Sequence, residues 1–335
     1  MGPAARKPTI RDVAAAAGVS HGTVSRVLNG GHWVSPDARA AVEEAIRQTG
    51  YTANHAARSL ATGRSGSLAF LLTEPHHLLF EDPTFGLLVR GAAEALAKRS
   101  MTLVLLVAGT DAEKTHMLDY VRARHVDGVL LVSSHASDPL LGRMHDAGIP
   151  IVSAGLPLAF DGFVPSVSVD ELAGARAMTR YLLERGHRRI AHIAGPDDTP
   201  GGRYRLEGFR EEMGALFDPA LVERGDYGGG SGAAAMSRLL ARTRDIDAVF
   251  AASDSMAAGA ISVLSHEGLR VPDDIAVAGF DDSGLAETHD PPLTTMAQPW
   301  SDISERMVSM LLDVVDGSPG GEITLPPELV VRASA

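Results

Sequence analysis

Thr9 to Gly30 reads TIRDVAAAAGVSHGTVSRVLNG, and this stretch predicts two short helices joined by a tight turn. Thr9 can cap the first helix, with Asp12 three residues later as in a capping box. Gly18 supplies the backbone freedom that ends this helix, and Ser20 caps the next one. Apolar residues recur at helical spacing along one side of each helix, namely Val13, Ala14 and Ala17, then Val24, Val27 and Leu28.

The second helix leaves a polar face outward, made of His21, Gly22, Ser25 and Arg26. A helix N-terminus with free N–H groups can approach phosphates, and an arginine can bond N7 and O6 of guanine in a major groove. The face therefore suits duplex DNA. Spacing alone is equally compatible with an ordinary helical hairpin on a protein surface.

The pattern T-x-x-D-V-A-x-x-A-G-V-S-x-x-T-V-S-R-V-L-N runs without a gap from Thr9 to Asn29. In this it resembles the helix-turn-helix of the lactose/galactose repressor (LacI/GalR) family of bacterial transcription regulators. Because Gly22 replaces the longer side chains often found there, weak readout of its base pair is expected. The resemblance implies base reading by His21, Gly22 and Arg26, and backbone positioning by Ser20, Thr23, Ser25 and Asn29. Thr9 is predicted as a further DNA contact.

Charge is distributed unevenly along the 335 residues, whose net charge is −12. Residues 1–65 hold eight Lys and Arg against four Asp and Glu, giving +4, which leaves −16 for the rest. The total charge by itself argues against DNA binding. A small basic module joined to an acidic body is nevertheless compatible with it.

Length and composition narrow the class of protein. A chain of 335 residues predicts two or three domains, and 45% hydrophobic with 5% aromatic residues fits an α/β protein. The absence of cysteine excludes disulfides and thiolate metal sites. No apolar run approaches the roughly 20 residues of a membrane span, and the N-terminus lacks the apolar region of a secretory signal. A cytoplasmic location is therefore expected.

A third helix is predicted from Pro36, capped by Ser35, to about Gly50, which completes an all-α headpiece over residues 1–50. Residues 51–65 form a linker whose short helical segment needs a partner to be ordered. From the residues alone a flexible tether is the alternative. The pattern Y-x-x-N-x-x-A-R-S-L resembles the family's hinge helix, which enters the minor groove, and it implies DNA contacts by Asn54, Ala57, Arg58 and the apolar wedge Leu60.

From Ser67 onward, short apolar runs alternate with amphipathic stretches, which predicts parallel sheets covered by helices on both faces. About eight strands exceed one sheet of ordinary size, so two doubly wound subdomains are predicted, divided near Pro165. The predicted strands are Leu68–Leu72, Leu103–Val107, Gly128–Val132, Ile151–Ala154, Ser166–Val169, Ile190–Ala194, Ala248–Ala252 and Ile275–Gly279.

This half resembles the family's effector domain, which is similar to the periplasmic sugar-binding proteins. The resemblance implies an effector-binding and dimerisation domain over residues 66–335, in which the chain crosses back near its end. The expected N-subdomain comprises residues 66–165 and 298–325, and the C-subdomain comprises residues 166–297 and 326–335. A ligand is expected in the cleft between them, at the carboxyl ends of the strands.

The same resemblance implies effector contacts. Arg205 opens R-x-x-G-F and Asp281 ends G-F-D, two patterns that the family places in its cleft. Aromatic rings could stack on an apolar sugar face. Two departures are notable: the apolar Ala154-Gly155-Leu156, and the run Pro75–Asp82, which looks inserted. The full predicted set is Phe85, Ser133, Arg205, Tyr227, Asp254, Asp281 and Gln298.

The leading prediction is a homodimeric repressor that binds operator DNA under control of a small molecule, most simply a sugar. An enzyme is weakly supported, because no hydrolase, metalloprotease or phosphate-loop motif is present, and Gly228–Gly232 indicates a loop. A free-standing sugar-binding protein does not account for residues 1–65. A co-repressor such as a purine or sugar phosphate remains an alternative. No cofactor and no metal site is predicted. His76 and His77 are not expected to bind a metal together, because the side chains of adjacent residues point in different directions.

Overall fold

The computed structural model describes residues 8–28, 33–51, 63–158, 160 and 162–335. The chain divides into two compact units, residues 1–65 and 66–335. Five predicted DNA contacts lie outside the described residues: Asn29, Asn54, Ala57, Arg58 and Leu60.

In the first unit, the described residues form three helices, α1 (Ile10–Ala17), α2 (His21–Leu28) and α3 (Pro36–Thr49). Gly18 and Gly50 follow α1 and α3 with φ of 65° and 63°, a left-handed conformation that glycine adopts without strain. Every helix contributes a fully or nearly fully buried apolar side chain to one small core, whose central members are Val13, Val24, Val27, Val42 and Ala45.

The second unit contains two parallel sheets, which define two lobes. The first lobe is built on a six-stranded sheet in the order β11-β5-β4-β3-β1-β2. Its strands are β1 (Ser67–Leu72), β2 (Thr102–Val107), β3 (Val129–Val132), β4 (Ile151–Ala154), β5 (Ser166–Val169) and β11 (Glu322–Leu325).

Strand β5 corrects the predicted subdomain boundary. Placing the division near Pro165 assigned Ser166–Val169 to the second sheet, but β5 pairs in parallel with β4 on one side and β11 on the other. The crossing to the second lobe therefore comes after Val169. The run SVSV is buried throughout, so its pattern alone suited either sheet.

The second lobe is built on a four-stranded parallel sheet in the order β7-β6-β8-β9. Strands β10 (Thr295–Ala297) and β12 (Glu328–Val330) form a separate antiparallel pair in the crossover segments. The short β7 was not predicted. The four strands of the main sheet are β6 (Ile190–Ala194), β7 (Val222–Arg224), β8 (Ala248–Ala251) and β9 (Ala276–Ala278).

Helices cover these sheets. Those of the first lobe are α4 (Leu78–Glu81), α5 (Pro83–Ala97), α6 (Asp111–Arg122), α7 (Leu140–Asp146) and the returning α13 (Trp300–Val315). Those of the second lobe are α8 (Glu171–Glu184), α9 (Pro200–Met213), α10 (Gly229–Arg242), α11 (Asp254–His266) and α12 (Leu285–Thr288). Among the described residues, no helix is long and apolar enough to cross a membrane.

The glycine-rich run Gly228–Gly232 is a further correction, because it does not form a loop but opens α10 at Gly229. The glycines allow α10 and α11 to approach closely. A Cβ on Gly232 would lie 2.3 Å from the Met256 carbonyl oxygen, and one on Gly259 would lie 2.0 Å from the Gly229 oxygen. Glycine is therefore required by helix packing here and not by a turn.

His192 lies at the centre of the second lobe, fully buried in β6. Its Nδ1 donates a hydrogen bond to the Phe250 carbonyl oxygen at 2.8 Å, and its ring stacks on Phe209 with centroids 4.7 Å apart. Burial lowers the pKa of His192 to about 3, since a charged imidazole would lose its hydration. The folded protein therefore holds this histidine neutral.

We predict an acid-sensitive stability that depends on His192. Below pH 6.5 the unfolded chain binds a proton at this position and the folded chain does not, so protonation favours unfolding. Between pH 7 and pH 5 the wild type should lose about 2 kcal/mol of unfolding free energy relative to His192→Gln. Urea unfolding followed by circular dichroism measures this. His266→Gln, at an exposed position, should keep the wild-type pH dependence; an equally steep dependence in His192→Gln would contradict the prediction.

Candidate functional site

A cleft lies between the two lobes of the second unit, where the carboxyl ends of strands from both sheets meet. This is the position in which open α/β sheets bind ligands. Six predicted effector contacts line the cleft: Phe85, Ser133, Arg205, Tyr227, Asp281 and Gln298. Among the lining residues that were not predicted are Asp82, Glu171, Thr199 and Trp300.

Arg205 lies in the second turn of α9, and its side chain is nearly fully buried. Its Nε donates to Glu171 Oε2 at 2.6 Å, and its Nη2 donates to Glu171 Oε1 at 3.2 Å. Its Nη1 donates to Asp281 Oδ1 at 3.2 Å and also to the Ala252 carbonyl oxygen. The guanidinium carbon lies 3.7 Å from the centre of the Phe280 ring. Arg205 thus joins α8, the end of β8 and the loop after β9.

Charge balance keeps Arg205 cationic. Burial alone would lower the pKa of its guanidinium, but the carboxylates of Glu171 and Asp281 outweigh that effect and raise the pKa. Glu171 was missed at the sequence level because it lies 34 residues from Arg205 and begins a different helix. Its position directly after Asp170, the residue that caps α8, is the only local signal.

Asp281 connects Arg205 to the crossover segments. Gln298 Nε2 donates to Asp281 Oδ1 at 2.7 Å, and Trp300 Nε1 donates to the Asp281 carbonyl oxygen at 2.9 Å. Burial raises the pKa of the Asp281 carboxyl, although Arg205 opposes the rise. The residue has φ of 115°, an uncommon conformation for a side chain with a Cβ. Such strain persists only where the surroundings hold it in place.

Tyr227 and Ser133 share this backbone feature, with φ of 72° and 60°. The Tyr227 hydroxyl lies 2.7 Å from Thr199 Oγ1, and burial raises its pKa to about 12. The ring packs so closely on Gly195 that a Cβ there would lie 2.5 Å from its atoms. With Phe85 and Trp300, Tyr227 gives the cleft apolar ring surfaces beside its carboxylates.

Asp254, predicted as an effector contact, does not line the cleft. It begins α11 and is fully buried. Its carboxylate accepts hydrogen bonds from Thr295 Oγ1 at 2.6 Å and from the Ser283 backbone N–H at 3.1 Å. Burial raises its pKa to about 7. Asp254 therefore holds the crossover segment in place and takes no part in lining the site.

The two departures from the family pattern both lie at the cleft. Gly155 lines it with φ of 80°, and a Cβ there would lie 3.3 Å from Pro200 Cγ of the opposite lobe. The run Pro75–Asp82 forms the short α4 and ends at Asp82, which caps α5 by accepting from Thr84 N at 2.9 Å. Burial raises the pKa of Asp82. The run therefore brings a third carboxylate to the cleft, which Glu171 and Asp281 also line.

The first unit presents the predicted DNA-reading face on α2. Ser20, His21, Gly22 and Arg26 are exposed, whereas Thr23 and Ser25 are half-buried. Ser20 Oγ accepts a hydrogen bond from Thr23 N at 3.1 Å, so the predicted cap is present. Thr9 is exposed, and its N–H and hydroxyl both donate to Asp12 Oδ2 at 2.7 Å.

Two sequence profiles match the chain. Residues 9–54 match that of bacterial regulatory proteins, lacI family, and residues 179–335 match that of a periplasmic binding protein-like domain. The chain is also similar to the HTH-type transcriptional regulator CelR of Thermobifida fusca. The two are 44% identical over 331 residues, which cover 98% of this chain and 96% of that protein.

Solved structures give the same result. The chain is similar to a transcriptional regulator CelR–cellobiose complex, with a TM-score of 0.79 and 42% identity over 98% of this chain and 100% of that one. It is also similar to a lac repressor dimer bound to operator and the anti-inducer ONPF, with a TM-score of 0.86 and 28% identity over 98% of this chain and 99% of that one. The predicted fold class is confirmed.

We predict that Arg205 stabilises the second unit. Arg205→Met leaves the carboxylates of Glu171 and Asp281 largely buried without their cation, which should lower the unfolding free energy by about 3–5 kcal/mol. Arg203→Met is the matched control, since Arg203 is exposed on the same helix, and its effect should stay within about 0.5 kcal/mol. Thermal or urea unfolding of both variants measures the difference; equal effects would contradict the prediction.

Proposed function

Since the chain belongs to the lacI family of bacterial regulatory proteins, we propose that it is a repressor whose operator binding is released by a neutral disaccharide, with cellobiose as the first candidate. It is a sequence-specific DNA-binding transcription regulator, as the stretch Thr9–Asn29 predicted. Its relatives are regulators and not enzymes, and we infer the same of this chain. Such a regulator meets its operator in the cytoplasm.

The observation that carries the proposal is the composition of the cleft. Carboxylates of Asp82, Glu171 and Asp281, with the amide of Gln298, surround a space that is also walled by aromatic rings. Sugar hydroxyls can donate to such carboxylates in charge-assisted hydrogen bonds, while the apolar face of a sugar ring packs on an aromatic side chain. The half-buried Trp300 and the largely buried Phe85 line the cleft with ring surfaces that suit this role.

The charge in the cleft favours a neutral effector. Among the described residues that line the cleft, Arg205 is the one basic side chain. Its guanidinium is already paired with the carboxylates of Glu171 and Asp281. Asp82 adds a further carboxylate, which accepts hydrogen bonds from the backbone N–H and the hydroxyl of Thr84 and forms no ion pair with any described residue. A phosphate group would therefore meet net negative charge in a partly dehydrated space. This disfavours the sugar phosphate alternative. The CelR–cellobiose complex, a structure of a 42% identical relative, supports a disaccharide.

The DNA side of the proposal rests on α2. Its exposed face carries Arg26, His21 and Gly22, and the predicted half-site is read in the major groove. A structurally similar repressor was solved as a dimer on operator. A homodimer with two headpieces accordingly binds a palindromic operator, because the symmetry of the protein matches that of the DNA.

We predict that cellobiose changes the fluorescence of Trp300. The chain has two tryptophans, so Trp33→Phe leaves Trp300 in the cleft as the single emitter. Cellobiose should shift its emission and, in a gel-shift assay, release the operator. Gln298→Leu removes the donor that holds Asp281 and should weaken cellobiose binding about tenfold, equal to a loss of about 1.4 kcal/mol. Glucose 6-phosphate is the charged control and should cause no shift. No response to cellobiose at millimolar concentration would contradict the proposed effector.

We predict that Arg26→Ala relaxes operator preference. Loss of a bidentate contact to guanine should reduce discrimination at that base pair by about 1–3 kcal/mol. Competition binding with operators altered one base pair at a time measures the preference. Arg47→Ala is a control on the far end of α3, where the arginine pairs with Glu44, and it should leave the preference intact. An unchanged preference in Arg26→Ala would show that Arg26 does not read bases.

A further inference from the structure

A cluster of charged side chains joins the two lobes at the rim of the cleft. Glu74 follows β1 and His135 follows β3, so both belong to the first lobe. Asp198 lies between β6 and α9 in the second lobe. The imidazole of His135 lies between the two carboxylates. Its Nε2 is 2.8 Å from Glu74 Oε1, and its Nδ1 is 3.0 Å from Asp198 Oδ2.

This arrangement requires a charged imidazole. A neutral histidine has one N–H donor and one acceptor nitrogen, and a carboxylate can only accept. Both contacts are hydrogen bonds only when both ring nitrogens carry a proton. The hydrogen bond to Glu74, with further help from Asp198, raises the pKa of His135 to about 9 despite partial burial. At neutral pH an imidazolium therefore bridges one carboxylate from each lobe.

Neighbouring groups strengthen the link. The Ala136 backbone N–H donates to the Asp198 carbonyl oxygen at 2.8 Å, and Ser137 Oγ donates to Asp198 Oδ2 at 3.1 Å. On the other side, Ser133 Oγ donates to Glu74 and orients it. Asp198 is thus held by three consecutive residues of the opposite lobe, and Glu74 positions the histidine that holds it.

The His135–Asp198 pair is next to the cleft but does not line it, whereas Ser133, which orients Glu74, does. Ser133 and Thr199 are lining residues, and they flank the cluster in sequence at His135 and Asp198. Neither His135 nor Asp198 is among the lining residues. A ligand in the cleft is therefore not expected to touch them. Because they belong to different lobes, their contact breaks when the two lobes move apart, as in hinge motion of two-lobed binding proteins.

We propose that the His135–Asp198 pair is an interlobe clasp, in which His135 acts as a positioning residue that holds the cleft closed and thereby raises its affinity for the effector. The clasp deepens the proposed function, on which its effect on affinity rests. The clasp shifts the equilibrium between open and closed lobes toward the closed form. Any ligand that binds the closed cleft more tightly therefore gains affinity.

The clasp has a direct test that needs no effector. The chain contains no cysteine, so spin labels on Asp146→Cys and Arg210→Cys, exposed positions in the first and second lobes, report the distance between lobes in the full-length protein. His135→Gln should shift that distance distribution to longer values. His116→Gln, exposed on α6, should leave it unchanged. Identical distributions for the wild type and His135→Gln would overturn the clasp.

A second measurement reads its effect on affinity. Calorimetric titration with cellobiose at pH 7.5 should show about tenfold weaker binding by His135→Gln and by Asp198→Ala, equal to about 1.4 kcal/mol. Because the imidazolium is lost as pH rises through about 9, wild-type affinity should fall between pH 8 and pH 10. The charged groups that face His135 are Glu74 and Asp198, and both stay ionised over that range. The His135→Gln affinity should change little.

The two readouts separate the proposals. If wild-type protein fails to bind cellobiose, the proposed effector is wrong and the spin-label distances still decide the clasp. If cellobiose binds and the distances respond to His135→Gln, but affinity is the same in both proteins at every pH, the clasp does not control the effector and its proposed role is overturned.

Discussion

The buried guanidinium of Arg205 is the interaction on which the rest of the site depends. It satisfies Glu171 from α8, a carbonyl at the end of β8 and Asp281 after β9, so three segments far apart in sequence meet at one cation. Asp281 in turn accepts from Gln298 and Trp300 in the returning crossover. A buried charge is tolerated only with such partners, and the network therefore specifies the geometry of the cleft.

Much of the fold could be predicted from the sequence because local patterns coincide with tertiary roles. The headpiece helices follow from caps at Thr9, Ser20 and Ser35 together with apolar spacing, and most strands follow from short apolar runs. The partner of a strand could not be predicted, since β5 is buried on both faces and its sequence does not state which sheet it joins. The start of α10 at Gly229, where a loop was predicted, could not be predicted for a related reason. The glycines at the start of α10 are needed because α11 packs closely against them, and the sequence alone does not show that contact.

Site residues that belong to a recognisable sequence motif could be predicted. Those that reach the site only through contacts between distant segments could not. Arg205 and Asp281 belong to recognisable patterns, and both line the cleft. Glu171 and Asp82 have no such pattern, because their roles come from partners or cavities formed by distant segments. Asp254 shows the opposite error. A carboxylate after a strand resembles a ligand contact, yet its oxygens are used internally by Thr295 and the Ser283 backbone.

Trp300 has a mechanical consequence. Its indole bonds the Asp281 backbone of the second lobe, while the 16-residue α13 that it begins packs into the core of the first. That helix is about 24 Å long at 1.5 Å per residue. Buried side chains from Ile303 to Leu311 fix the helix in the core of the first lobe along most of that length, and its first residue is the one that bonds the second lobe. A molecule in the cleft would therefore lie against the side chain through which this helix of the first lobe is tied to the second.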